Sequence, residues 1–125
     1  MTTFKDFYTA ALKIKRSESP EYKAWVEEIE SKGDIFIDLY REYAKSQDLG
    51  LDMMNIEGSL FDGAETIKIL KENKIKKVTM TNDSFALASM LVDAGAKIIG
   101  MKKVLTRKKS LGCNEVWEYS LIFEI

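Results

Sequence analysis

Lys77-Val78-Thr79-Met80-Thr81-Asn82-Asp83-Ser84-Phe85-Ala86-Leu87-Ala88-Ser89-Met90-Leu91-Val92-Asp93-Ala94-Gly95 decides the fold class. It opens with a short β-branched run. It then passes a polar turn cluster and continues with Phe85, Leu87, Ala88, Leu91 and Val92 at helical spacing, up to a glycine that can end a helix. Lys97 to Arg107 follows as a second strand and Glu115 to Ile125 as a third. A strand–helix–strand run with short links reads as a βαβ unit, with its first two strands parallel neighbours and a right-handed crossover. The turn from Lys109 to Asn114 makes the last two strands a hairpin. In the last strand, Trp117, Tyr119, Leu121, Phe123 and Ile125 share one face, which period-two alternation turns toward the helices. Val116, Glu118, Ser120, Ile122 and Glu124 share the other.

Upstream, residues 3–16 predict a helix with Thr3 and Asp6 as a capping box and Phe4, Phe7, Tyr8, Ala11 and Leu12 on one face. Ser19-Pro20-Glu21 starts a second helix, and Lys32-Gly33 ends it. Asp34 is expected to cap a third, with Ile35, Phe36, Leu39, Tyr40 and Tyr43 inward. Gln47 to Ser59 shows no period and reads as a loop. Asp62 to Glu65 then opens a fourth helix that turns Ile67 and Leu70 inward. The expectation is one α+β domain over residues 1–125. Residues 1–46 would be helical, residues 47–61 a loop, and residues 62–125 an α-β-α-β-β half. Its three-stranded mixed sheet would have Lys97 to Arg107 in the centre.

Composition narrows the chemistry. The 125 residues are 46% hydrophobic and 31% charged, ordinary for a globular chain. There is no histidine and one cysteine, Cys113. Histidine bases, the usual catalytic triads, thiolate zinc clusters and internal disulfides are excluded. Asp48, Asp52, Glu57 and Asp62 fit no calcium-loop spacing, so no metal or other cofactor is expected. No apolar run reaches the roughly 20 residues that span a bilayer. The opening residues lack a signal peptide's pattern, and a cytoplasmic location is expected.

Charge is divided unevenly. Residues 1–62 hold 8 Lys and Arg against 13 Asp and Glu, whereas residues 63–125 hold 11 against 7. An acidic second helix carrying Glu21, Glu27, Glu28 and Glu30 could meet a basic protein groove. Lys102, Lys103, Arg107, Lys108 and Lys109, next to Trp117 and Tyr119, could instead grip single-stranded nucleic acid. Against that, the alternation points both aromatics into the core. Attraction between the two halves accounts for the same charges. A third candidate is Thr79, Thr81, Asn82 and Ser84, where a parallel strand meets a helix start and ligands of open α/β sheets bind. Helix capping explains the same residues.

Ile75-Lys-Lys-Val-Thr-Met-Thr, then Asp93-Ala-Gly-Ala-Lys-Ile-Ile-Gly-Met and the closing strand from Glu115 to Ile125, resemble a group of small uncharacterised proteins carried by bacterial phages and conjugative elements. Gly95 to Gly100 is the most distinctive stretch, and Thr79, Thr81 and Asn82 stand where many of that group have serines. The resemblance implies no catalytic residue. It implies a mobile-element protein of the kind that disarms host defences, as anti-CRISPR proteins do by binding a nuclease complex. The resulting expectation is a non-enzymatic inhibitor of a host defence protein. A small nucleic-acid-binding regulator is the alternative, and a homodimer formed through a sheet edge is left open.

Overall fold

The computed structural model describes residues 1–58, 62–81 and 84–125. It is α+β, with helices α1 (Phe4–Lys13), α2 (Pro20–Glu30), α3 (Asp34–Asp48), α4 (Gly63–Glu72) and α5 (Phe85–Asp93). The strands are β1 (Met54–Ile56), β2 (Lys77–Met80), β3 (Lys97–Arg107) and β4 (Val116–Glu124). They form one mixed sheet in the order β1-β2-β4-β3.

The local signals act much as their chemistry requires. Thr3 and Asp6 make the reciprocal capping box of α1. The Ser19 hydroxyl accepts the Tyr22 amide at the start of α2, with Pro20 in its first turn. Asp62 accepts the Glu65 amide and starts α4. One cap differs from expectation. Gly33, at φ +94°, is the N-cap of α3, and Asp34 lies inside the first turn. The reversal of direction after α2 needs a left-handed residue, which glycine supplies without strain.

The sheet departs from expectation in three ways. It has four strands, because Met54-Asn55-Ile56 pairs in parallel with Val78-Thr79-Met80. Three residues are too few to show a period, so the stretch that read as loop hides a strand. That strand and β2, joined through α4, are the true adjacent βαβ unit. Next, β3 is not central. Strand β4 lies between β2 and β3 and is antiparallel to both, so the two strands flanking α5 run the same way without touching. Hairpin chemistry specified the β3–β4 pair, but only the shared core decided which hairpin strand docks on β2. Finally, α3 continues to Asp48 and closes the outer edge of β1. The Ser46 hydroxyl accepts the Asn55 amide at 2.9 Å, and the Glu42 carboxylate accepts the Glu57 amide at 2.9 Å. Side chains one helical turn apart are about 6 Å apart, close to the roughly 6.7 Å between outward amides two residues apart on a strand.

One cluster joins all the helices to one face of the sheet. Phe4 and Phe7 of α1, Ile29 of α2, and Phe36, Leu39 and Tyr40 of α3 meet Ile67 and Leu70 of α4 and Leu91 of α5 over Met54, Ile56, Val78, Met80 and Phe123. Aromatic rings dominate it: Phe7 meets Trp25, Phe36 and Tyr40 edge-on, and the Trp25 Nε1–H donates to the Phe7 carbonyl at 2.9 Å. Burial pushes the Tyr40 hydroxyl up to about 12. No described helix is long and apolar enough to cross a membrane.

Candidate binding surface

The strand-end hydroxyls are structural. Thr79 is buried, and its hydroxyl donates to Asn55 Oδ1 at 2.6 Å. The Thr81 hydroxyl donates to the same oxygen at 3.0 Å and also contacts the Ser120 hydroxyl. These four side chains stitch β1, β2 and β4 together on the face away from the helices. A satisfied buried network of this kind holds strand register. Ser84 stands at the N-cap of α5, and Asn82 lies outside the described residues. Thr79 is therefore withdrawn into the sheet, whereas Thr81 and Ser84 line a cleft between α5 and the hairpin. Asn55 and Ser120, the partners of the two threonines, escaped sequence reading. A polar residue between Met54 and Ile56 is the one signal that could have raised suspicion.

The acids of α2 are divided. Glu28 pairs with the amino terminus of Met1. Glu21, Glu27 and Glu30 are exposed. At 100° per residue, Glu27 and Glu30 lie on one side, with Lys23 between them, while Glu21 points elsewhere.

The basic run is divided as well. Directly opposed residues share a sheet face, so the register puts Lys102 with Ser120 on one face and Lys103 with Tyr119 on the other. Lys102 meets Asp52 at 3.2 Å and holds the Asp52 carboxyl below its ordinary range through that hydrogen bond. Lys108 donates to the Asp48 carbonyl, where the helix dipole of α3 favours a cation. Both contacts join the acidic half of the chain to the basic half. They also hold residues 49–53 across the far face of the hairpin, where Val104, Thr106 and Ser120 are buried. Arg107 and Lys109 are exposed. The Lys103 ammonium lies over the Tyr119 ring, 5.3 Å from its centroid, a cation–π contact.

Trp117 and Tyr119 overturn an expectation. They share the face of Leu121 and Phe123, as alternation requires, but they are 52% and 67% exposed. The cause is length. The 9 residues of α5 span about 14 Å, whereas the 11 residues of β3 span about 36 Å. The hairpin outruns its helical cover. Beyond the end of α5, this cleft, of about 680 Å³, opens between helix and hairpin, lined by Met80, Phe85, Ala88, Met101, Tyr119 and Leu121 and also by the polar Thr81, Ser84, Glu118 and Ser120. Phe85 and Met101 at this cleft are 89% and 63% exposed. Aromatic, apolar and basic groups thus meet on one open face. Among the described residues, no group of three or more acids or thiols is placed to hold a metal ion. Cys113 is a free, exposed thiol in the hairpin turn.

Residues 38–121 match the family described as a domain of unknown function, DUF7698. The chain belongs to that family. No curated protein matches it, and no solved structure does. The DUF7698 match runs from within α3 to within β4. It takes in Lys102, Lys103, Trp117, Tyr119 and the cleft, and it excludes Glu21, Glu27, Glu28 and Glu30.

Proposed function

We propose that this protein is a non-enzymatic binding module that grips a partner protein through the open face of the β3–β4 hairpin. One observation carries the reading: Phe85, Met101, Trp117 and Tyr119 stand exposed around a single cleft and hairpin face, next to Lys103. Scattered apolar side chains need no explanation, but a contiguous exposed group marks an interaction surface. Aromatic residues with a flanking cation are typical anchors of such surfaces. The partner class implied by the resemblance to mobile-element proteins is a host defence protein, such as a nuclease complex. The exposed acids Glu21, Glu27 and Glu30 would serve as a second contact for a basic groove.

A different reading, single-stranded nucleic-acid binding, draws on the same face. Lys103 and Tyr119 are cross-strand neighbours with Trp117 beside them, so base stacking and phosphate contact would not need separate faces. Photo-crosslinking in the producing cell separates the readings. With a photoreactive phenylalanine analogue at Tyr119, a protein adduct is expected, and Trp117→Ala should reduce it. An adduct of nucleic acid alone would favour the second reading, as would retention on filters that falls steeply with salt. Capture from position 23 of α2 but not from 119 would move the surface to the acidic helix.

A further inference from the structure

The sheet has two edges, and the fold treats them differently. The β1 edge is closed by Ser46 and Glu42 of α3. Strand β3 ends the other side, and no described backbone group pairs with its outer rim. Register shifts at Ile98/Gly100 and Leu105/Arg107 leave one regular stretch, Gly100 to Leu105, between them. We infer that this stretch docks an extended peptide strand of a partner protein, with an acidic residue beside Lys103 and apolar residues two positions away on each side. The inference rests on the protein-binding reading above.

The pattern comes from the register. On the open face the stretch presents Met101, Lys103 and Leu105, next to Leu121, Tyr119 and Trp117 of β4. A strand added at about 4.8 Å would set its own alternate side chains beside these three. Met101 and Leu105 suit apolar neighbours, and Lys103 suits a carboxylate. On the opposite face, Lys102 is already paired with Asp52 and Val104 is buried, so those positions add no selection. The pattern apolar-x-acid-x-apolar is symmetric, so it fits a parallel or an antiparallel strand. A row of free amides and carbonyls is matched by another backbone, whereas a sugar-phosphate chain would leave the carbonyls unpaired. A second copy of this chain is a poor occupant. Antiparallel self-pairing over most of Gly100 to Leu105 sets Lys102 or Lys103 against its counterpart or against the other, and directly opposed like charges repel.

The test uses the whole chain and three labelled peptides, Gly-Ser-Val-Thr-Glu-Thr-Val-Ser-Gly and its versions with Gln or Lys in the centre. Fluorescence anisotropy gives affinity, and amide shifts in nuclear magnetic resonance spectra locate the contact. The Glu peptide should bind about tenfold more tightly than the Lys peptide, shifting the amides of Gly100 to Leu105. Lys103→Glu should reverse the order. N-methylation of alternate peptide amides should abolish binding, because a docked strand needs those donors. Equal affinities, shifts confined elsewhere, or binding that survives N-methylation would overturn the inference. So would a twelve-nucleotide thymidine strand that shifts these amides when the peptides do not. If position 119 captures a protein in cells while the peptides fail, only the edge strand is lost. If both fail, the protein-binding reading falls with it.

Discussion

Gly63 shows how closely two helices can be held by one missing carbon. A Cβ built there would lie 2.3 Å from the Met90 carbonyl oxygen, whereas one at Gly100 would lie 3.5 Å from Ile122 Cδ1. The first contact is with backbone, which cannot turn aside, and the second is ordinary packing. Gly63→Ala should therefore destabilise the fold by about 1–3 kcal/mol, and Gly100→Ala by less than about 1 kcal/mol. Urea midpoints compare the two. At Glu42, burial pushes the carboxyl up, while hydrogen bonds from the Glu57 and Gly58 amides pull it back to some extent. With a native value above the unfolded one, the folded state holds more protons between the two values. Stability then falls as pH rises through that window. Glu42→Gln, which has no charge to bury, should gain stability relative to the parent chain across the same window. Parallel pH profiles for the two proteins would contradict this.

At the scale of elements, the edge of β1 and the centre of the sheet make separate demands. Ser46 donates to the Glu42 carbonyl at 2.8 Å and accepts the buried Asn55 amide. Ser46→Ala would orphan that amide, at a cost of about 1–3 kcal/mol. Its exchange with deuterium should quicken well before that of Val78 or Phe123. Strand β4 pairs on both sides over Leu121 to Glu124, so Ile122→Pro should abolish folding, since proline is tolerated on edges and not in central strands. A folded Ile122→Pro variant with native circular dichroism would refute this placement of β4. The sequence alone put β4 at an edge. There, a proline in β4 would have tested a dimer contact.

For the whole molecule, the closed β1 edge and the lysines on β3 oppose self-association. Light scattering at micromolar concentration should give a mass near 14.3 kDa, and a value twice that would show that a second copy overcomes the charge. The contacts of Lys102 with Asp52 and Lys108 with Asp48 draw the basic hairpin onto the acidic half. They are exposed, so replacing Asp52 by Asn should cost less than about 1 kcal/mol. Their larger effect is to hold residues 49–53 over one hairpin face, which leaves the opposite face as the open one.

Caps, helical stripes and the hairpin were legible in the sequence because each depends on neighbours a few residues apart. Thr3 with Asp6, Ser19 with Pro20, and the alternation from Trp117 to Ile125 carry their meaning locally. The place of β1, the central position of β4 and the exposure of Trp117 and Tyr119 were not legible. They depend on which surfaces share one core and on how far a nine-residue helix reaches along an eleven-residue strand. Alternation told which way Trp117 and Tyr119 face. Only the tertiary structure decided that nothing described covers them, because burial is set by the extent of the opposing layer and not by the residue's own period.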